Sequence, residues 1–297
     1  TTVTVTNYSQ KTNIHQISLN STGVEYQATG VVDGTLGWDK PHFRMSEHNG
    51  DLRMVTTDRT DFNNPDHKLH ILRKNGASLE TIASLPNDSN PGEIGKPGED
   101  IFAVRFYGDR AFIVTFERTD PLYALDLSDA ENPVIEGQLE IPGFSNYLHL
   151  INENWLLSVG QDFQDNQATG VKIELFDVSQ ANPSSVGSFI YGNRGTWSEA
   201  LHDHRALSFL EVDGVDTLRM SIPINVAETP VAWSDSYYDW TRTELRQLEV
   251  TGTGTLAATL VDRGAVIGEQ RTNERTYPMG WLCVAVVRQA IKNNRVG

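Results

Sequence analysis

The sequence predicts an all-β chain of four-stranded antiparallel blades, a β-propeller, and three observations predict it. Residues 101–142 divide into four short alternating or β-branched runs, Ile101–Phe106, Arg110–Phe116, Leu122–Leu127 and Val134–Ile141, separated by turn chemistry. The outer turn of that set, DLSDAENP from Asp126 to Pro133, returns within VKIELFDVSQANPSSVG, residues 171–187. No amphipathic helical run stands out anywhere in the chain.

Taken in order, Val3 and Val5 with their threonine neighbours open a strand pattern, which Asn13–Leu19 and Val24–Val31 continue across the turn Asn20–Gly23. A full set follows as Phe43–Ser46, Leu52–Thr57, Lys68–Arg73 and Leu79–Leu85. Its hairpin signals are Asn49-Gly50 and Asn75-Gly76, pairs that accept the positive φ of tight primed turns. The polar stretch at 58–67 joins the inner and outer pairs, and a Pro-, Gly- and Asn-rich connector at 86–98 leads to the blade described above, with Gly108-Asp109 as its first hairpin. The next strands are Tyr147–Ile151, Trp155–Val159, Val171–Val178 and Val186–Ile190, with a loop expected at 160–170. His204–Val212, Leu218–Ile224, Glu244–Val250 and Thr255–Leu260 complete the pattern, with turns at Asp213-Gly214 and at Gly252 or Gly254 and a long loop at 225–242.

One domain over residues 1–297 is therefore expected, with about five blades by the repeat count. They are 1–35 completed by a C-terminal strand at Leu282–Val287, then 36–86, 99–142, 145–191 and 198–261, with 262–297 as an atypical tail. Borrowing that strand would remove a free sheet edge; an open fragment of a larger ring is the alternative.

Composition narrows the partners. With 24 basic and 39 acidic residues the formal charge is −15, which opposes a phosphate backbone and excludes nucleic acid as an expected ligand. No apolar run approaches the length of a transmembrane helix. The single cysteine, Cys283, leaves the redox compartment open. The opening TTVTVT reads as strand, so the sequence is expected to begin inside a domain, with any export signal upstream.

The segments TNIHQISL, FRMSEHNGDLRMVTT, EDIFAVRFYGDRAFIVTFERTDPLYALDLSDAENPVIEGQLEIPGFSNYLH, GVKIELFDVSQANP and RGTWSEALHDHRALSFL occur in that order over residues 12–224. In them the chain resembles secreted bacterial and archaeal proteins with a C-terminal β-propeller domain distantly related to WD-40 repeats. The resemblance implies a propeller in an extracytoplasmic location, secreted, periplasmic or at the cell surface. It supplies no reaction and no catalytic residues. Beyond residue 260 the chain departs from the expected final blade, and a truncated or frame-disturbed end is the expectation there.

Three groups of residues carry candidate chemistry. SNYLH at 145–149 recurs as SEALH at 198–202, followed by Asp203 and His204, so His149, His202, Asp203 and His204 are candidates for a central channel and a shared metal. Asp58, Asp61, Asn63 and Asp66 in one loop, and Asp162 and Asp165 in another, offer oxygens at spacings that suit calcium, without the full signature of a calcium loop. Trp233, Asp235, Tyr237, Tyr238, Asp239 and Trp240 set flat rings beside carboxylates, as a glycan or peptide site requires. Each group also has a plain structural reading: a histidine held by backbone, a solvated polar loop, and rings that fill space between blades.

The leading expectation is an exported, non-enzymatic binding platform for a protein, peptide or glycan. No nucleophile elbow, zincin, P-loop or dinucleotide motif is present. A polysaccharide hydrolase or lyase remains the alternative, drawing a carboxylate pair from Glu99, Asp100, Glu199, Asp203, Asp235 and Asp239. A calcium-stabilised structural module is the third reading.

Overall fold

The computed structural model describes residues 9–21, 23–37, 40–116, 120–165, 167–211, 215–230 and 240–270. The chain divides into two compact units, Thr1–Glu117 with Pro121–Glu140, and Arg118–Asp120 with Ile141–Gly297.

In the first unit, β1 (Lys11–Asn20), β2 (Gly23–Asp33), β3 (Met45–His48), β4 (Asp51–Asp58), β5 (Asp66–Asn75) and β6 (Ser78–Leu85) form one sheet in the order β1-β2-β6-β5-β4-β3. The expected blade at 36–86 is the antiparallel meander β3 to β6. Asn49 at φ 52° and Gly50 at φ 85° make the primed turn that its first hairpin needs. The strand expected from Phe43 starts at Met45 instead, because Pro41 opens a short 3₁₀ turn, Pro41–Arg44, that turns Arg44 inward. The N-terminal hairpin lies beside β6, joined in parallel through the single pair Thr29↔Ser78. Val3, Val5 and Leu282–Val287, expected to complete a blade with it, lie outside the described residues.

The second sheet of this unit, β7 (Asp100–Tyr107), β8 (Arg110–Phe116), β9 (Asp120–Asp126) and β10 (Val134–Ile141), is the predicted meander. Val55, Leu69, Ile71 and Leu85 of one sheet pack against Val104, Ile113, Tyr123 and Leu125 of the other. Sealed beside this apolar layer is a chain of polar groups. Arg44 donates from Nη1 to Thr57 Oγ1 (3.0 Å) and from Nη2 to the Ile101 carbonyl (3.1 Å). Thr57 Oγ1 meets His67 Nδ1 at 3.0 Å, and His67 Nε2 meets the Glu99 carbonyl at 2.9 Å. A carbonyl only accepts, so Nε2 carries a proton, and burial favours the neutral ring, in which Nδ1 accepts from the threonine hydroxyl. The Glu99 carboxylate accepts from Thr115 Oγ1 (2.6 Å) and the Lys96 amide (2.9 Å).

Burial holds His67 below its ordinary pKa, more than its bond to the Glu99 carbonyl offsets, and burial does the same to His70. Both rings bind protons more weakly folded than unfolded, where the reference value is 6.5. Their stabilisation is complete above that pH and falls as pH drops below it toward the folded pKa values. Thermal melts from pH 8 to pH 5 are expected to show stability falling by up to about 1.4 kcal/mol per pH unit per histidine below that reference. His67→Gln should shallow that slope by about half, and an unchanged slope would exclude this ring as its source.

In the second unit, β11 (Phe144–Leu150), β12 (Trp155–Gln164), β13 (Gln167–Asp177) and β14 (Ser184–Tyr191) form one meander. β15 (Ser208–Glu211), β16 (Thr217–Val226), β17 (Arg242–Thr251) and β18 (Thr259–Gln270) form the other. Residues 160–170, expected as a loop, are a hairpin instead, with Phe163↔Ala168 and Gln164↔Gln167 paired and Asp165 at φ 50° in the turn. The last strand also runs later than expected, since the Gly252 turn takes up the chain to Ala258 before pairing begins at Thr251↔Thr259.

Candidate functional site

The site is built from the first strands of the two sheets in the second unit. Among the described strands β11 pairs only with β12, and its register slips between Ser145 and Tyr147, an irregularity that re-aims side chains. Beyond the slip, alternation puts Tyr147 and His149 on one face. SEALH has no such geometry: Ser198 accepts from the Ala200 amide and starts a 3₁₀ turn, Glu199–Leu201, with His202 after it. Asp203 then caps a second turn, His204–Ala206, by accepting from the Arg205 amide at 3.0 Å. The two histidine motifs are therefore not structural repeats, because one is strand and the other is turn.

The histidines nevertheless gather with aromatic rings. His149 lies face to face on Phe209, with centroids 3.8 Å apart and planes 7° apart. Tyr147 stacks on His204 at 5.7 Å and 16°, and the Tyr147 hydroxyl lies 3.3 Å from His149 Nδ1. His202, exposed, stacks on Trp197 at 6.2 Å. Tyr147 is buried, while His149, His204 and Phe209 are each half-buried, so the row leaves part of its ring surface exposed. Among the described residues no group of three His, Cys, Asp or Glu side chains could hold a metal ion.

Of the calcium candidates, Asp58, Asp61, Asp66 and Asp162 are engaged locally. Asp58 accepts from the Thr60 amide (2.8 Å) and hydroxyl (2.6 Å), and Asp61 accepts from the Asn63 amide (3.0 Å), which are Asx turns. Asp66 pairs with Lys68 at 2.9 Å. Asp162 sits on β12, not in a loop, and accepts from Gln164 and Thr169. Trp233, Asp235, Tyr237, Tyr238 and Asp239 lie outside the described residues. Trp240 is 2 % exposed, so its ring packs inside the protein, contrary to the expectation of a ligand contact. Of the carboxylates considered for hydrolysis, Glu99 is sealed in its buried network, Asp100 takes a two-pronged bond from Arg59 (2.6 and 2.7 Å), and Asp203 pairs with Arg205 at 2.9 Å.

Comparison with known proteins places the fold. A family model described as a beta propeller domain matches residues 1–296. The chain belongs to that β-propeller family. An uncharacterized protein of Archaeoglobus fulgidus is 39% identical over 202 residues, and an uncharacterized protein of Methanocaldococcus jannaschii is 37% identical over 201. Each match covers 66% of this propeller chain and 28% of the relative, so the chain spans about 28% of the length of the relatives it matches. The crystal structure of the N-terminal domain of Nup159 aligns with 73% of the chain and 46% of its own, at 12% identity and a TM-score of 0.33.

The propeller also contains charged clusters that pattern reading passed over. Lys172, on a strand buried on both faces, donates to Glu174 (2.6 Å) and to the Pro142 carbonyl (2.8 Å), and Ser185 completes the carboxylate. Glu244, its side chain fully buried, accepts from Arg242 Nε (3.1 Å) and from Arg246 Nε and Nη2 (3.0 and 2.8 Å). Arg246 continues to Asp262 (3.2 Å) and lies over the Tyr191 ring, whose hydroxyl donates to the same aspartate at 3.1 Å. Burial and the Asp262 carboxylate push the Tyr191 hydroxyl well above its ordinary pKa, so it stays a proton donor. The signal was present as RTELR, alternate residues of opposite charge on one strand face.

Proposed function

We propose that this β-propeller is an exported, non-enzymatic interaction platform that takes a glycan or peptide against the ring row of β11 and β15. The observation that carries the reading is the half-buried stack of His149 on Phe209 beside Tyr147 on His204. Flat faces suit the C–H side of a sugar ring or the plane of a peptide side chain. Of the four described carboxylates considered for hydrolysis, Glu99, Asp100 and Asp203 are held by local partners and Glu199 is exposed, which favours binding over hydrolysis as the reading. Export rests on the resemblance to secreted archaeal and bacterial propeller proteins.

The experiment is retention on a panel of immobilised polysaccharides and peptides, with low-mass products read in the same tubes. Retention without products is the expected result. Phe209→Ala and His149→Ala should each weaken it about tenfold, the equivalent of one stacking contact of ~1.4 kcal/mol. Products would favour the hydrolase reading, and retention unchanged in both variants would remove the ring row as the site.

A further inference from the structure

The tripeptide Asn-x-Ser/Thr, the acceptor signature for N-linked glycans, occurs as Asn7-Tyr8-Ser9, Asn20-Ser21-Thr22 and Asn87-Asp88-Ser89. The structure separates the two whose asparagines it describes. Asn87 is half-buried and locked in a turn: its Oδ1 accepts from the Ser89 and Asn90 amides, both at 2.9 Å. Its Nδ2, the atom a sugar would join, donates to the Ser84 carbonyl at 2.6 Å. Asn20 is exposed, the last residue of β1, paired with Gly23 across the tip of the N-terminal hairpin. Its neighbours along the hairpin, Leu19 and Val24, are 79% and 71% exposed.

We propose that Asn20 is an N-glycosylation site, modified by transfer from a polyprenyl-phosphate-linked oligosaccharide. The proposal rests on the export reading above, because such donors face the outside of the cell membrane. In the transfer Asn20 Nδ2 attacks the anomeric carbon, the C–N bond forms as the C–O bond to phosphate breaks, and the amide proton leaves while the polyprenyl phosphate carries off the electron pair. The physical role follows from the sheet. Among the described strands β1 is the edge of its sheet and shares with β2 a face of exposed Ile17, Leu19, Val24 and Tyr26. An unguarded edge of that kind templates pairing with other chains, and a bulky hydrated group at its tip obstructs the approach.

The test secretes the chain through a fused export leader from an archaeal host that performs N-glycosylation, followed by intact mass and peptide mapping of the protein recovered outside the cell. The expected result is a sugar increment on the peptide containing Asn20, lost in Asn20→Gln and in Thr22→Ala and retained in Asn87→Gln. Secreted protein with Asn20 unmodified, or an increment that survives Asn20→Gln undiminished, overturns the proposal. Fractionation of the native full-length protein in its own host tests export by itself: residence in the cytoplasm would overturn that reading while the leader-driven result still reports on the site.

Discussion

Gly160→Ala is expected to destabilise the protein by about 3 kcal/mol or more, well beyond an ordinary core substitution. A Cβ built at Gly160 would lie 1.7 Å from the Phe144 carbonyl oxygen, 2.7 Å from its carbon and 2.8 Å from Ser145 Cα. All three are backbone atoms of β11, so no side chain can swing aside, and relief requires β11 to move off β12. The register slip between Ser145 and Tyr147 is built on this close approach. Because Tyr147 and His149 follow it on the same strand, retention on the ligand panel should fall along with stability. Gly187→Ala is the control, since nothing lies within 4 Å of the added carbon there. Urea melts decide the matter: a Gly160→Ala midpoint equal to that of Gly187→Ala would mean that β11 yields without cost.

Glu244→Ala is the second large effect, expected to cost about 3–5 kcal/mol, because it removes the carboxylate between two guanidinium groups inside the second unit. The side chain of Glu244 is wholly buried, while Arg242 and Arg246 are 23% and 17% exposed. Burial alone would pull the Arg246 pKa down, and its hydrogen bond to Glu244 reverses the direction. Without Glu244 the Arg246 charge keeps Asp262 as its remaining ionic partner. Denaturant melts of Glu244→Ala beside Arg219→Ala make the comparison, since the Arg219–Glu249 pair has its arginine 45% exposed and should cost less than about 1 kcal/mol. Equal losses would show that burial of Glu244 adds nothing.

Most of the strands could be read from the sequence because their signals are local. Asn49-Gly50 and Gly108-Asp109 set two-residue turns whose φ requirements few other residues meet, and the runs between them alternate or are β-branched. The misread segments are those where tertiary contacts decide. Residues 160–170 look like a loop because Gln, Asp and Asn dominate, yet Gln161 and Asp162 are buried and continue β12. Trp240 reads as a ligand ring beside tyrosines and aspartates, but which rings of such a run turn inward is a property of packing. The ring row was half visible: His149 and His204 could be named from the motifs, whereas Phe209, one apolar residue in the strand run that begins at His204, gave no sign that it would lie flat on an imidazole.

In the three four-stranded sheets every hydrogen-bonded neighbour is also the next strand in sequence, and β2 beside β6 is the single exception among the described strands. Contacts that are near in sequence close short loops, so each meander can form at the speed of its own hairpins without waiting for a distant segment. Such a unit is also a parcel of inheritance. A stretch of some fifty residues can be duplicated, lost or exchanged as a whole, with the hydrogen bonding of its neighbours left intact. The hairpin of β1 and β2 breaks that rule: it is held at Thr29↔Ser78 by a strand that has not yet been made when it emerges, and must wait for β6 before it can dock.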